Sequence, residues 1–212
     1  MKNFYLILSC CALFSLTAHS ENFSGDDFNG AWESDGGNQK VQPVGWHALS
    51  CNASGVFGSM KGGTVTKGGD ESDASPIIEN IFAGSKGSWM TTGYVIPGIL
   101  SLGTPWIYVD TNYFTAAKGD LGVDGGVEFT GRPSKITFKA QYYNAPTSDI
   151  DDAAHIKVYL WKGSAESTDI SGANHTDEMS AVLAGNAGAT LIGSGELTID
   201  KDIDVFESKK NS

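Results

Sequence analysis

The stretch from Val127 to Tyr143, VEFTGRPSKITFKAQYY, reads as strand, turn and strand. Val127 and Phe129 alternate with Glu128 and Thr130. Gly131-Arg132-Pro133-Ser134 interrupts the pattern, and Ile136, Phe138, Ala140 and Tyr142 then alternate with Lys135, Thr137, Lys139 and Gln141. A period of two is the mark of strands buried on one face. Glycine supplies the φ freedom of a sharp turn, and proline fixes φ while lacking the N–H that a central strand would use. The stretch therefore predicts a hairpin with Ile136, Phe138, Ala140 and Tyr142 turned inward.

The same pattern extends in both directions. Upstream, Pro76 to Ala83, Ser88 to Ile96 and Trp106 to Asp110 read as strands, with an edge strand near Ala31. Downstream, His155 to Trp161 is a strand with Ile156, Val158 and Leu160 inward. Ala189 to Ile199 closes with strand-like alternation that Lys201 to Val205 continues. One helix is predicted, Glu178 to Ala184 behind Asp177 as N-cap. Around ten strands with short turns, 27 glycines and no βαβ alternation predict an all-β chain. The expected architecture is two antiparallel sheets packed as a β-sandwich, jelly-roll-like and of the galactose-binding or carbohydrate-binding-module type.

FTGRP followed by ITFKAQYYNAP, with Trp89-Met-Thr-Thr-Gly before it and His155-Ile-Lys-Val-Tyr-Leu-Trp after it, resembles the carbohydrate metabolism domain family. That family comprises secreted and surface proteins of Gram-negative gut bacteria, and the likeness covers roughly Asn29 to Asp200. It implies a β-sandwich and an extracytoplasmic setting without implying a mechanism. Domains of this type continue into further apolar strands. The resemblance therefore implies that this chain, ending on ESKKNS, lacks one or more C-terminal strands and leaves a sheet edge uncovered.

Met1 to Ser20 has the form of a secretory leader: Lys2, an apolar run from Phe4 to Leu16, and the small-residue site Ala18-His19-Ser20. An apolar run of about 13 residues is too short to span a membrane permanently. Cleavage after Ser20 would leave one domain over residues 21–212. The alternative is a lipoprotein anchored at Cys10 in Leu8-Ser9-Cys10, although the chain stays apolar beyond that cysteine. Either way the mature protein is exported, to the periplasm or the cell surface. Loss of Cys10 and Cys11 leaves Cys51 alone, without an internal disulfide partner and without a basic neighbour to activate it, which predicts a buried, inert thiol. A net charge of -11 argues against nucleic acid and anionic membrane as partners.

Sugar-binding sandwiches present flat aromatic rings to the apolar face of a pyranose, with polar groups around them. The outward face of the central pair of strands carries Lys139, Gln141 and Tyr143 beside Lys157, Tyr159 and Trp161; Tyr159 and Trp161, two residues apart on one strand, form the first candidate platform, with Tyr143 a further candidate ligand-binding residue. Trp106 and Tyr108 form a second. The competing reading makes these aromatics core, covered by the long loops.

A glycosidase needs two carboxyl groups about 5 to 10 Å apart. Glu79, Glu128, Asp110 and Asp120 are available, but nothing in the sequence pairs them. His47, His155 and His175 have neither metal-ligand spacing nor a nucleophile motif. No catalytic residue, metal ligand or cofactor is assigned. Carboxylates can ligate calcium, but the acidic loop Asp70, Glu71 and Asp73 lacks a calcium-loop spacing, and Asp200, Asp202 and Asp204 fit the wet face of a strand, so no motif supports a structural calcium. The sequence thus points to a non-catalytic exported module whose partner is a glycan or polysaccharide. The alternatives are a structural or adhesive protein recognising other cell-surface proteins, and a glycoside hydrolase.

Overall fold

A computed structural model describes residues 5–9, 28–35, 40–55, 58–70, 73–86, 91–110, 118–131, 136–143, 153–163, 188–201 and 203–210. Among these residues every regular element is a strand, in the order β1 (Tyr5–Ser9), β2 (Trp32–Asp35), β3 (Lys40–Pro43), β4 (His47–Ala48), β5 (Ser50–Gly55), β6 (Gly58–Gly63), β7 (Val65–Gly68), β8 (Ser75–Ile78), β9 (Ile81–Lys86), β10 (Thr91–Ile96), β11 (Leu100–Ser101), β12 (Thr104–Asp110), β13 (Lys118–Asp124), β14 (Thr137–Tyr143), β15 (Ala154–Lys162), β16 (Thr190–Ile199) and β17 (Ile203–Lys210). The described part of the chain is all-β, and every pairing in it is antiparallel. No helix among the described residues is long and apolar enough to cross a membrane. The helix expected over Glu178 to Ala184, the cleavage site after Ser20, and Cys10, Cys11, Glu71, His175 and Asp202 lie outside the described residues.

The largest sheet has five strands in the order β17-β14-β1-β8-β7, and the remaining strands form two-stranded ribbons. Phe138, Ala140 and Tyr142 of β14 are buried with Ile199 and Ile203, and Ala154, Ile156 and Leu197 pack against them. The alternation read in ITFKAQYY therefore holds, and its apolar face lies against the β15–β16 ribbon. A second cluster joins Leu49, Cys51 and Ile96, with Ile81, Ile99 and Ile107 beside them, which buries the Cys51 thiol. A third joins Ala48, Val65 and Ile78.

The predicted hairpin is not formed. Val127 to Thr130 is irregular, and Val127 is exposed. The strand nearest upstream is β13, which ends at Asp124 and pairs with β12, from Thr104 opposite Asp124 to Asp110 opposite Lys118. Gly125, at φ 70°, then turns the chain out of that ladder with a conformation that side chains disfavour. The neighbours of β14 are instead β1 and β17.

Two further readings are corrected. Pro76 to Ala83 is two strands rather than one. At the break, the Glu79 N–H donates to the Thr64 carbonyl (2.9 Å) and the Asn80 side chain accepts the Gly98 N–H (2.8 Å), which takes the backbone off the ladder. The stretch from Gly62 to Pro76, GGTVTKGGDESDASP, whose four glycines and three acids suggest one continuous loop, contains β7, and its Asp70 accepts the Asp73 N–H at 3.0 Å in a local turn.

Candidate functional site

The outer face of the β15–β16 ribbon brings together polar and aromatic side chains in adjacent rows. Along β15 the exposed His155 and Lys157 alternate with the half-buried Ala154 and Ile156, the latter two packed on the core. The ladder sets His155 opposite Thr198, Lys157 opposite Glu196, Tyr159 opposite Ser194 and Trp161 opposite Leu191. Directly opposed residues of an antiparallel pair share a face. One face thus carries His155, Lys157, Tyr159 and Trp161 beside Thr198, Glu196, Ser194 and Leu191.

Electrostatics organise the end nearest the core cluster. Glu196 Oε1 lies 3.4 Å from Lys157 Nζ and 3.5 Å from His155 Nδ1, with all three side chains about half exposed. Thr198 Oγ1 is 3.3 Å from the same His155 nitrogen. The exposed Lys157–Glu196 ion pair contributes little to stability, because water screens it. What these side chains provide is a row of held donors and acceptors next to the rings.

Beyond Lys157 the alternation stops, and Val158, Tyr159, Leu160 and Trp161 are all half-buried. The register shifts between Leu160 and Trp161, leaving Ile192 without an opposite number. A bulge of this kind adds twist and re-aims the side chains beside it. The irregular segment 125–131 then reaches the ring: a Cβ on Gly126 would stand 3.1 Å from Trp161 Cη2, so the backbone there lies against the benzo edge of the indole. A side chain there would crowd the ring, and glycine avoids that contact. Val127, Leu191 and Ile192 nearby in the chain or ladder are exposed apolar residues.

The other aromatics singled out in the sequence are placed elsewhere. Tyr143 is half-buried on β14, which is not hydrogen-bonded to β15. The two strands face each other across the core through Phe138, Ala140 and Tyr142 on one and Ala154 and Ile156 on the other. Their outer faces therefore point apart, and Tyr143 with Lys139 and Gln141 does not join Tyr159 and Trp161. Trp106 on β12 is 9% exposed, so its ring has no open face, while Tyr108 is half-buried.

Among the carboxylates, Glu128 is exposed in the irregular segment and Glu79 is half-buried at the β8–β9 break, where burial holds its carboxyl above the usual range. The side chains of Asp110 and Asp120 lie outside the described residues. Among the described residues no group of three or more His, Cys, Asp or Glu side chains converges. Sequence reasoning missed Glu196, Ser194 and Thr198. Their signal was the alternation in Thr190 to Ile199, which puts them on one face once β16 is paired with β15. No family profile, curated protein or solved structure matches the chain.

Proposed function

We propose that the chain is an exported, non-catalytic module that captures a glycan on the outer face of the β15–β16 ribbon. The observation that carries the reading is the placing of Tyr159 and Trp161 two residues apart on one strand, continued by the Lys157–Glu196–His155 row. Successive same-face residues on a strand stand about 7 Å apart, a spacing that suits two neighbouring sugar rings. The polar row would serve hydroxyls. In this reading the β14–β17 pair and the β15–β16 ribbon that lies against it belong to two layers of a jelly-roll-like sandwich. Met1 to Ser20 directs export and is then removed, and the resemblance to the carbohydrate metabolism domain family agrees with that setting.

Such a surface binds weakly, because a sugar exchanges well-made water hydrogen bonds for protein ones and gains mainly from ring contact. Dissociation constants of about 10 µM to 1 mM are expected for an oligosaccharide, roughly 4 to 7 kcal/mol. A glycan array followed by calorimetry on the hits tests this, run beside a reducing-sugar assay. Trp161→Ala and Tyr159→Ala should abolish the heat signal. Binding that survives both substitutions removes the platform, and sugar released in a Glu79- or Glu128-dependent manner makes the protein a hydrolase. The exposed apolar residues Val127, Leu191 and Ile192 favour the second reading, an adhesive surface that recognises protein. A protein that binds no glycan but is captured through Ile192 would establish it.

A further inference from the structure

The five-stranded sheet depends on a strand that the export reading removes. β1, residues Tyr5–Ser9, lies inside the leader, yet it is the central strand of β17-β14-β1-β8-β7. It pairs with β14 along its whole length, from Tyr5 opposite Tyr143 to Ser9 opposite Lys139, and with β8 at Leu6 opposite Ile78 and Ile7 opposite Ile77. Among the described strands it alone hydrogen-bonds the β14–β17 pair to the β7–β8 pair.

Take the leader away and two strand edges face each other across a gap. Neighbouring strands are about 4.8 Å apart, so the strands flanking one empty seat stand about 10 Å apart, the width of a single extended chain. The backbone groups that β1 satisfies on both sides lose their partners, and such open edges are ready to pair with another chain. The seat borders the core. Positions 6 and 8 of the leader stand opposite Tyr142 and Ala140, which are buried, and position 6 also stands opposite the buried Ile78.

From this geometry we infer that the mature protein carries a strand-acceptor slot between β8 and β14, which takes an extended apolar peptide segment from a second protein. The inference rests on leader removal but not on glycan binding. The chemistry of the occupant is set by what the seat already holds, YLILS: five residues, apolar at four of them if the tyrosine is counted, running antiparallel to both neighbours. Main-chain hydrogen bonds would supply the affinity, and the alternating apolar positions the selectivity. A second copy of this chain is a poor donor, because every described strand after β1 is already paired within its own chain.

The test uses the full chain and a fluorescent peptide containing the Tyr5–Ser9 sequence between solubilising lysines. In the unaltered chain the tethered leader fills the seat, so the peptide should stay out. In the full chain carrying Ile7→Pro the leader loses ladder bonds on both sides, and the peptide should bind saturably at one per chain. A peptide with the same proline should bind about tenfold more weakly or worse, while its charge is unchanged. A cysteine in the peptide at the position of Ile7 should form a disulfide with Gln141→Cys on β14, its opposite number. That cross-link locates the seat whatever the affinity.

Equal binding of the two peptides, binding without the cross-link, or a cross-link that joins two copies of the chain instead would overturn the proposal. Leader removal is read separately, from the intact mass of the protein recovered from its native envelope. A retained leader overturns the partner-filled slot even where peptide binding succeeds, since the chain would then fill its own seat.

Discussion

The described residues between 137 and 210 bury their interior with apolar side chains set on long strands, whereas those between 40 and 99 build theirs from short strands tied together by side-chain hydrogen bonds. In the first region Phe138, Ala140, Tyr142, Ile199 and Ile203 form one continuous cluster. In the second, Thr64 sits between β6 and β7 at 1% exposure and connects three segments. Its N–H and hydroxyl both donate to the Leu49 carbonyl (3.1 and 2.8 Å), its hydroxyl accepts the Ile99 N–H (3.4 Å), and its carbonyl accepts the Glu79 N–H. Gln42 plays a similar part, accepting the Ala48 N–H at 3.0 Å and donating to Glu33 at 3.2 Å. Strands of two to six residues leave many backbone groups outside ladders, and buried groups of that kind must be satisfied by side chains. Where strands reach seven to ten residues, the ladders do this work and the interior can be apolar.

The contrast predicts different sensitivities. The largest effect belongs to the apolar region: Phe138→Ala should cost about 3 to 5 kcal/mol, the transfer term plus the cavity left among Tyr142, Ile199 and Ile203. Chemical denaturation measures it. A loss below about 1 kcal/mol, the scale of a residue outside a packed core, would mean that the β14–β15 interface is not the centre of this region. Next comes the polar region, where Thr64→Val keeps shape and removes the hydroxyl. The Ile99 N–H then has no acceptor, and about 1 to 3 kcal/mol should be lost. Proton exchange separates this from a packing defect, since protection should fall first at Ile99 and Leu49 while β14 is unaffected.

The difference between the regions also explains what the sequence disclosed. Phe138, Ala140 and Tyr142 were legible because a seven-residue strand against a one-sided core repeats its period long enough to be seen. The all-β character was legible for the same reason. The strand expected at Val127 to Thr130 failed because alternation over four residues cannot tell a strand from an extended loop, and the ladder with β12 had been completed by Asp124. β7 and the break at Glu79 were hidden because Thr64 and Asn80 hold them through partners distant in sequence, Leu49 and Gly98. The outer face of β15 was half legible. Its own residues alternate visibly, but which strand lies beside it is a long-range fact, and taking β14 for that neighbour put Tyr143 on the wrong side of the molecule.

At the candidate site the expected effect is smaller and local. Gly126→Ala places a methyl group 3.1 Å from Trp161 Cη2, so ring or segment must shift by a few tenths of an ångström. Because the segment 125–131 is largely exposed, the cost to stability should be within about 1 kcal/mol. The change should show in the indole signals of Trp161 by NMR and in a weakened glycan titration. An unaltered Trp161 resonance would separate the segment from the ring.

The smallest effect tests the polar region through the half-buried acid Glu79. Burial disfavours the charged form of Glu79, which raises its carboxyl above the ordinary value of 4.5. The folded chain therefore holds that proton more tightly than the unfolded chain does. Its contribution to stability is fully present in acid, below the unfolded value, and is lost as pH rises through the raised folded value. Glu79→Gln removes the ionisation while keeping the side-chain length. The variant should melt slightly above the parent at pH 7, and the gap should close as pH falls to about 4, where both side chains are neutral. The gain will be modest, because a half-exposed carboxylate keeps part of its water. A gap constant with pH would assign the effect to altered hydrogen bonding at the β8–β9 break. A gap of the opposite sign, with the variant less stable at pH 7, would mean that the ionised Glu79 meets a favourable partner and that this region uses charge as well as hydrogen bonds to join its short strands.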